Sequence, residues 1–183
     1  MTRPALFAAL AALTGACAVA GPAYAPMSRG PTSVIANNNN FTDRIIVAHN
    51  RERVAVGVPP LIWDPALEAG AANYARGLAL TGTFTHSRRA SRVGLGENLW
   101  MGTRGGFTLE QMIATWISEK RRFVPGIFPR VSTTGNWADV GHYSQMIWPA
   151  TTRLGCALAP GRAADYLVCR YAPAGNIDGR RVP

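Results

Sequence analysis

From Phe41 onward the chain passes between stretches whose apolar residues recur at helical spacing and shorter stretches where they crowd together. Ile45, Ile46, His49 and Val54 mark a first helix, with Thr42 as its expected cap and its end near Gly57. Pro59-Pro60 then interrupts the chain before Leu61-Ile62-Trp63. Asp64-Pro65 predicts a second helix start, because an aspartate can accept the orphan N–H groups and proline supplies a helical φ. Leu67, Ala71, Tyr74, Ala75 and Leu78 continue that helix, and Gly82 terminates it. Thr108 to Gln111 has the spacing of a capping box, followed by an apolar face of Leu109, Met112, Ile113 and Trp116. Glu119 falls at the edge of this face, where a carboxylate either snorkels to the surface or is aimed into a cleft.

Between Phe123 and Gly135, Pro125, Gly126 and Pro129 predict a mobile loop. Ser144 to Trp148, Leu154 to Leu158 and Tyr166 to Tyr171 read as short strands, with a hairpin turn near Gly161 that sets Cys156 and Cys169 on neighbouring strands. Helices followed by such strands predict an α+β domain, layered helix–sheet–helix around a mainly antiparallel sheet.

The segment Gly141-His142-Tyr143-Ser144-Gln145-Met146-Ile147-Trp148 sets four hydrogen-bonding side chains in an apolar run that otherwise reads as a buried strand. Such groups are costly to bury without partners or a cleft, so the segment is a site candidate. No nucleophile elbow, His-Glu-x-x-His, Cys-x-x-Cys or phosphate-binding glycine loop accompanies it. What remains is His86, Glu97, Glu119 and His142, two imidazoles and two carboxylates able to hold a borderline cation such as zinc if they converge. The alternative is a cluster in which histidine and carboxylate satisfy each other.

Only 16% of residues are charged and the formal net charge is +9, carried almost wholly by arginine, with Lys120 the only lysine. The arginines are scattered and lack interleaved aromatics, which argues against a nucleic-acid platform and leaves an anionic wall polymer as a charge-matched partner. Residues 1–20 read as a signal peptide: Arg3, an apolar run from Ala5 to Leu13, and a cleavage site at Ala18-Val19-Ala20. A lipoprotein anchor at Cys17 fits less well, since Leu13 lies one place too far upstream. Residues 21–40, with three prolines and the Asn37–Asn40 tract, read as a disordered spacer, and no later stretch is long and apolar enough to span a bilayer. The mature chain is therefore expected outside the cytoplasm, secreted or periplasmic, where Cys156 and Cys169 would form one disulfide.

Ala48-His49-Asn50-x-x-Arg53 with Gly57-x-Pro59-x-Leu61-x-Trp63-Asp64 opens a series of motifs. Thr85-His86-Ser87, Gly96-Glu97-Asn98-Leu99-Trp100, Trp116-x-x-Glu119-Lys120, Gly141 to Trp148, Gly155-Cys156-Ala157 and Val168-Cys169-Arg170-Tyr171 follow in order. The series is similar to the CAP superfamily of cysteine-rich secretory proteins, antigen 5 and plant pathogenesis-related 1 proteins, and covers a domain at 41–183. The resemblance implies an α-β-α sandwich with His86, Glu97, Glu119 and His142 lining one open cavity, where family members can bind zinc or another divalent cation. It would make Asn98 and Gln145 either groups that orient the imidazole and carboxylate or anchors for nearby backbone. Trp63, Trp100 and Trp148 are expected in the core. Phe123, Val124, Ile127 and Phe128 lie in the region that some sterol-binding members use for ligand capture, and they would either contact lipid or fold onto their own core. Val140 stands where plant and animal members commonly carry a cysteine, and a secreted bacterial member is expected. The leading expectation is a non-enzymatic module binding a divalent cation and a sterol or other lipid. The rivals are a metal-dependent extracellular peptidase and a structural, adhesive domain.

Overall fold

The computed structural model describes residues 41–183; the expected leader 1–20, the spacer 21–40 and Cys17 lie outside the described residues. Helix α1 spans Phe41–Ala55, so Thr42 lies within it instead of capping it, and Gly57 turns the chain at φ 73°. Strand β1 (Ile62–Trp63) leads into α2 (Pro65–Thr81). There the Asp64 carboxylate accepts the N–H groups of Ala66 and Leu67, and Gly82 closes the helix in the left-handed region. Strand β2 (Gly96–Thr103) precedes α3 (Leu109–Ser118), whose capping box between Thr108 and Gln111 is fully formed. Strand β3 (Gly126–Ile127), helix α4 (Gly141–Met146), strands β4 (Arg153–Pro160) and β5 (Ala164–Ala172), and β6 (Arg181–Val182) complete the chain.

The main sheet has the order β1-β4-β5-β2, and β3 pairs separately with β6. Strands β2, β5 and β4 are antiparallel neighbours, whereas β1 runs parallel with β4, so the sheet is mixed. Side chains alternate across the strands, and the two faces bury different helices. On one face Leu99, Ala159, Tyr166 and Val168 pack against Ala71, Ala75 and Leu78 of α2. On the other, Trp100, Leu154, Cys156, Leu167, Cys169 and Tyr171 meet Ile45 of α1, the apolar face of α3, and Met146 of α4. The disulfide joins Cys156 and Cys169, which face each other in the β4–β5 register.

Beyond Thr42, three points depart from the sequence reading. Ser144 to Trp148 is not a strand: Gly141–Met146 is helical, with its two N-terminal donors capped from a distance by Glu119. Strand β2 was not foreseen as a strand at all. The loop expected to be mobile from Phe123 to Gly135 is tied down by the β3–β6 pair, by a bridge between Phe123 and Ser132, and by burial of Phe128 and Val131 in a third apolar cluster with Val140, Tyr143, Ile147, Trp148 and Val182.

Candidate functional site

Strand β2 forms one edge of the main sheet, and its alternation sends Glu97 toward the α2 face, in phase with Leu99, and Asn98 toward the opposite face, in phase with Trp100. On the α2 side, Glu97 Oε1 accepts from His86 Nδ1 at 2.8 Å and from the Ser87 N–H at 2.9 Å. Its Oε2 accepts from the Ser87 hydroxyl at 2.8 Å and from the guanidinium of Arg170, its cross-strand partner, at 3.0 Å. Burial by itself would raise the Glu97 carboxyl, but the hydrogen bonds from His86 and Ser87 and the charge of Arg170 outweigh it and hold the group below 4.5.

Across the edge strand a second pair repeats the design. Glu119, in the turn directly after α3, accepts from His142 Nδ1 at 2.6 Å through Oε1 and from the N–H groups of His142 and Tyr143 at 2.9 and 3.0 Å through Oε2. The His142 ring stacks on Trp116 of α3 with an 11° angle between planes. Carboxylates only accept, so each Nδ1 is the donor, and in the neutral tautomer that this fixes the lone pair lies on Nε2. Neither Nε2 has a hydrogen-bond partner among the described residues. His86, Glu97 and His142 line one cleft of about 1140 Å³, and Glu119 acts on it through His142.

The architecture around this cleft has known counterparts. The model of the cysteine-rich secretory protein family, CAP, matches residues 46–171. Pathogenesis-related protein 1C of Nicotiana tabacum is 35% identical over 73% of this chain and 75% of its own length. The chain belongs to the CAP family. Its relatives also include the secreted protein RBT4 of Candida albicans, 33% identical over 78% of this chain and 37% of that protein. Among solved structures, NaASP2 crystallised with Zn2+ matches with a TM-score of 0.66 at 29% identity, covering 76% of this chain and 83% of that one.

In this CAP domain the four sequence-selected residues come together as two histidine–carboxylate pairs, not as one four-ligand set. Among the described residues, no group of three or more His, Cys, Asp or Glu side chains is placed to hold an ion. The carboxylates are occupied by their histidines and by backbone donors, which leaves the two Nε2 atoms as the available ligands. Among the described residues neither Asn98 nor Gln145 hydrogen-bonds an imidazole ring or a carboxylate. Asn98 donates to the carbonyl of His142 and to the Tyr171 hydroxyl, and Gln145 accepts from the Gly175 N–H and donates to Thr151. Trp100 and Trp148 are buried, whereas Trp63 is half-buried and donates to Glu68. In the expected lipid loop, Phe128 is in the core and Phe123 packs against Tyr143, so Val124 and Ile127 are the exposed apolar side chains.

Sequence reasoning passed over Ser87 and Arg170 as Glu97 partners, although both stand inside the motifs it quoted. It also passed over Arg89, Trp137 and Asp178, which line the cleft. A tryptophan outside any apolar run, between Gly135-Asn136 and Ala138-Asp139, was the available signal for Trp137.

Proposed function

We propose that this CAP protein is a secreted, non-enzymatic binding module that takes a divalent cation, zinc before others, on Nε2 of His86 and His142. The observation that carries this reading is the paired anchoring: each imidazole is fixed at Nδ1 by a carboxylate that also grips the adjoining backbone, leaving Nε2 free at one shared cleft. Carboxylate–histidine pairs of this kind orient an imidazole and raise its basicity as a ligand. Two protein ligands are fewer than the three or four of catalytic and structural zinc sites, so water would complete the shell and binding would be open and readily reversed. The NaASP2 structure with Zn2+ supports the choice of metal. Export is supported by the secreted relative RBT4 and by the leader-like sequence at 1–20. Among the described residues no helix is long and apolar enough to cross a membrane.

A peptidase finds less support, because both oxygens of Glu97 and of Glu119 are already hydrogen-bonded and neither is spare as a general base. Lipid contact through the Phe123–Phe128 segment would rest on its exposed side chains Val124 and Ile127.

Thermal unfolding of the purified protein at neutral pH, with zinc or with chelator, tests the cation reading. Zinc at a hundredfold excess over its dissociation constant should add about 2.7 kcal/mol, and the rise in Tm should vanish in His142→Ala. An unchanged Tm, or the same rise in the variant, would reduce the four residues to a hydrogen-bonded cluster.

A further inference from the structure

Trp137 is 44% exposed although its ring is firmly held. It stands in a short turn at 137–140, where the Asn136 side chain accepts from the Ala138 N–H. Buried Phe128 meets it edge-on with ring centroids 5.2 Å apart. A Cβ on Gly141 would lie 3.0 Å from Trp137 Cζ3, so the indole rests against the first turn of α4 because Gly141 has no side chain. An indole pinned in this way but left uncovered retains a large apolar area that only a ligand would take out of water.

The same cleft carries exposed apolar Val93 and Ile177 and, beside them, two polar side chains that are unspent. Arg89 and Asp178 are exposed and line the same cleft, and their side chains make no hydrogen bond or ion pair among the described residues. Gly94, Ala138 and Ala174 keep the nearby wall low. A guanidinium and a carboxylate each offer two coplanar donors or acceptors, the spacing of vicinal hydroxyls, and together they are charge-neutral. A lipid tail would leave these groups desolvated and unpaired. A flat ring with one apolar C–H face and an equatorial rim of hydroxyls satisfies both parts of the site. β-1,4-linked pyranoses have that shape, and α-1,4-linked chains curve away from a flat platform.

We propose that the cleft binds a neutral β-linked saccharide chain, with Trp137 as stacking platform and Asp178 and Arg89 as hydroxyl-binding groups. This goes beyond the cation reading and does not depend on it. Calorimetric titration of the purified protein with cellotetraose, chitotetraose and maltotetraose, all in chelator, tests it. Saturable binding of a β-linked tetrasaccharide, with maltotetraose weaker, is expected. Trp137→Ala should weaken it at least about tenfold, and Trp137→Phe by no more than about threefold. Asp178→Ala and Arg89→Ala, which remove no side-chain hydrogen bond or ion pair among the described residues, should each weaken binding at an unchanged Tm. Absence of saturation by both β-linked chains overturns the proposal, as does parental binding by Trp137→Ala or by both of the other variants. Trp137-dependent binding of a peptide in place of any saccharide would also overturn it.

Discussion

At the scale of single residues, the densest buried polarity lies behind the cleft, not in it. Asn98 donates to the Tyr171 hydroxyl, Tyr171 donates to His49 Nε2, and His49 Nδ1 donates to the Ile45 carbonyl, a relay from the cleft wall into α1. Arg53, fully buried, donates to the carbonyls of Pro59, Met146, Trp148 and Thr151 and fastens α1 to the chain around α4. Burial lowers His49 from 6.5 to about 4, against the lifting effect of its bond to Ile45. The folded protein therefore keeps His49 neutral while the unfolded chain takes up a proton below pH 6.5. More protons on the unfolded side means that stability is lost as the pH is lowered through this window, by about 3 kcal/mol in all, until His49 charges in the fold near pH 4. Glu97 acts in the same sense but later: its stabilisation is whole above pH 4.5 and lost as pH drops through its lowered value. Urea unfolding from pH 7 to pH 4 should show the decline in the parent and a flatter profile in His49→Gln. Identical slopes would remove His49 as the cause.

Elements were legible where their signals are local and opaque where they are not. Helices α2 and α3 announce themselves through Asp64-Pro65 and the Thr108–Gln111 box, both of which act within one turn. Helix α4 could not be read that way, because its cap is a carboxylate 23 residues away and six residues are too few to show a period. Strand β2 was hidden for a related reason: Glu97 and Asn98 break its apolar pattern and are buried only because Arg170, Ser87 and Tyr171 satisfy them. Glycines separate packing from propensity on the α2–β4 contact. A Cβ on Gly155 would lie 2.2 Å from the Glu68 nitrogen and 2.6 Å from the Leu67 carbonyl carbon, backbone atoms that cannot step aside. Gly155→Ala should cost about 3 kcal/mol or more by prising α2 from the sheet. Gly70, on the same helix, has nothing within 4 Å of its built Cβ, and Gly70→Ala should gain about 0.5–1 kcal/mol. Urea midpoints at a constant slope measure both; equal effects would refute the contact.

On the scale of the whole molecule, the site exists because an edge strand presents its two faces to two different helical layers. His86 reaches Glu97 from the α2 side, and Glu119 with His142 closes from the α3–α4 side. The sequence carries the four residue types and their order, but not this division, because it depends on which face of β2 each neighbour occupies. Nor does it carry the loss of Phe123 and Phe128 to the core, which follows from β3 pairing with β6 more than fifty residues later. The bond between Cys156 and Cys169 ties together β4 and β5, the two central strands, which have α2 on one face and α1, α3 and α4 on the other. It closes a sequence separation of 13, for which loss of the cross-link should cost about 3 kcal/mol. Because both layers rest on these strands, that loss should fall on the domain as one unit. Far-UV dichroism and tryptophan fluorescence of the Cys156→Ala, Cys169→Ala double variant should move together to a lower urea midpoint. A fluorescence transition that shifted while the dichroism did not would mean that the two layers unfold separately, and that β4 and β5 do not couple them.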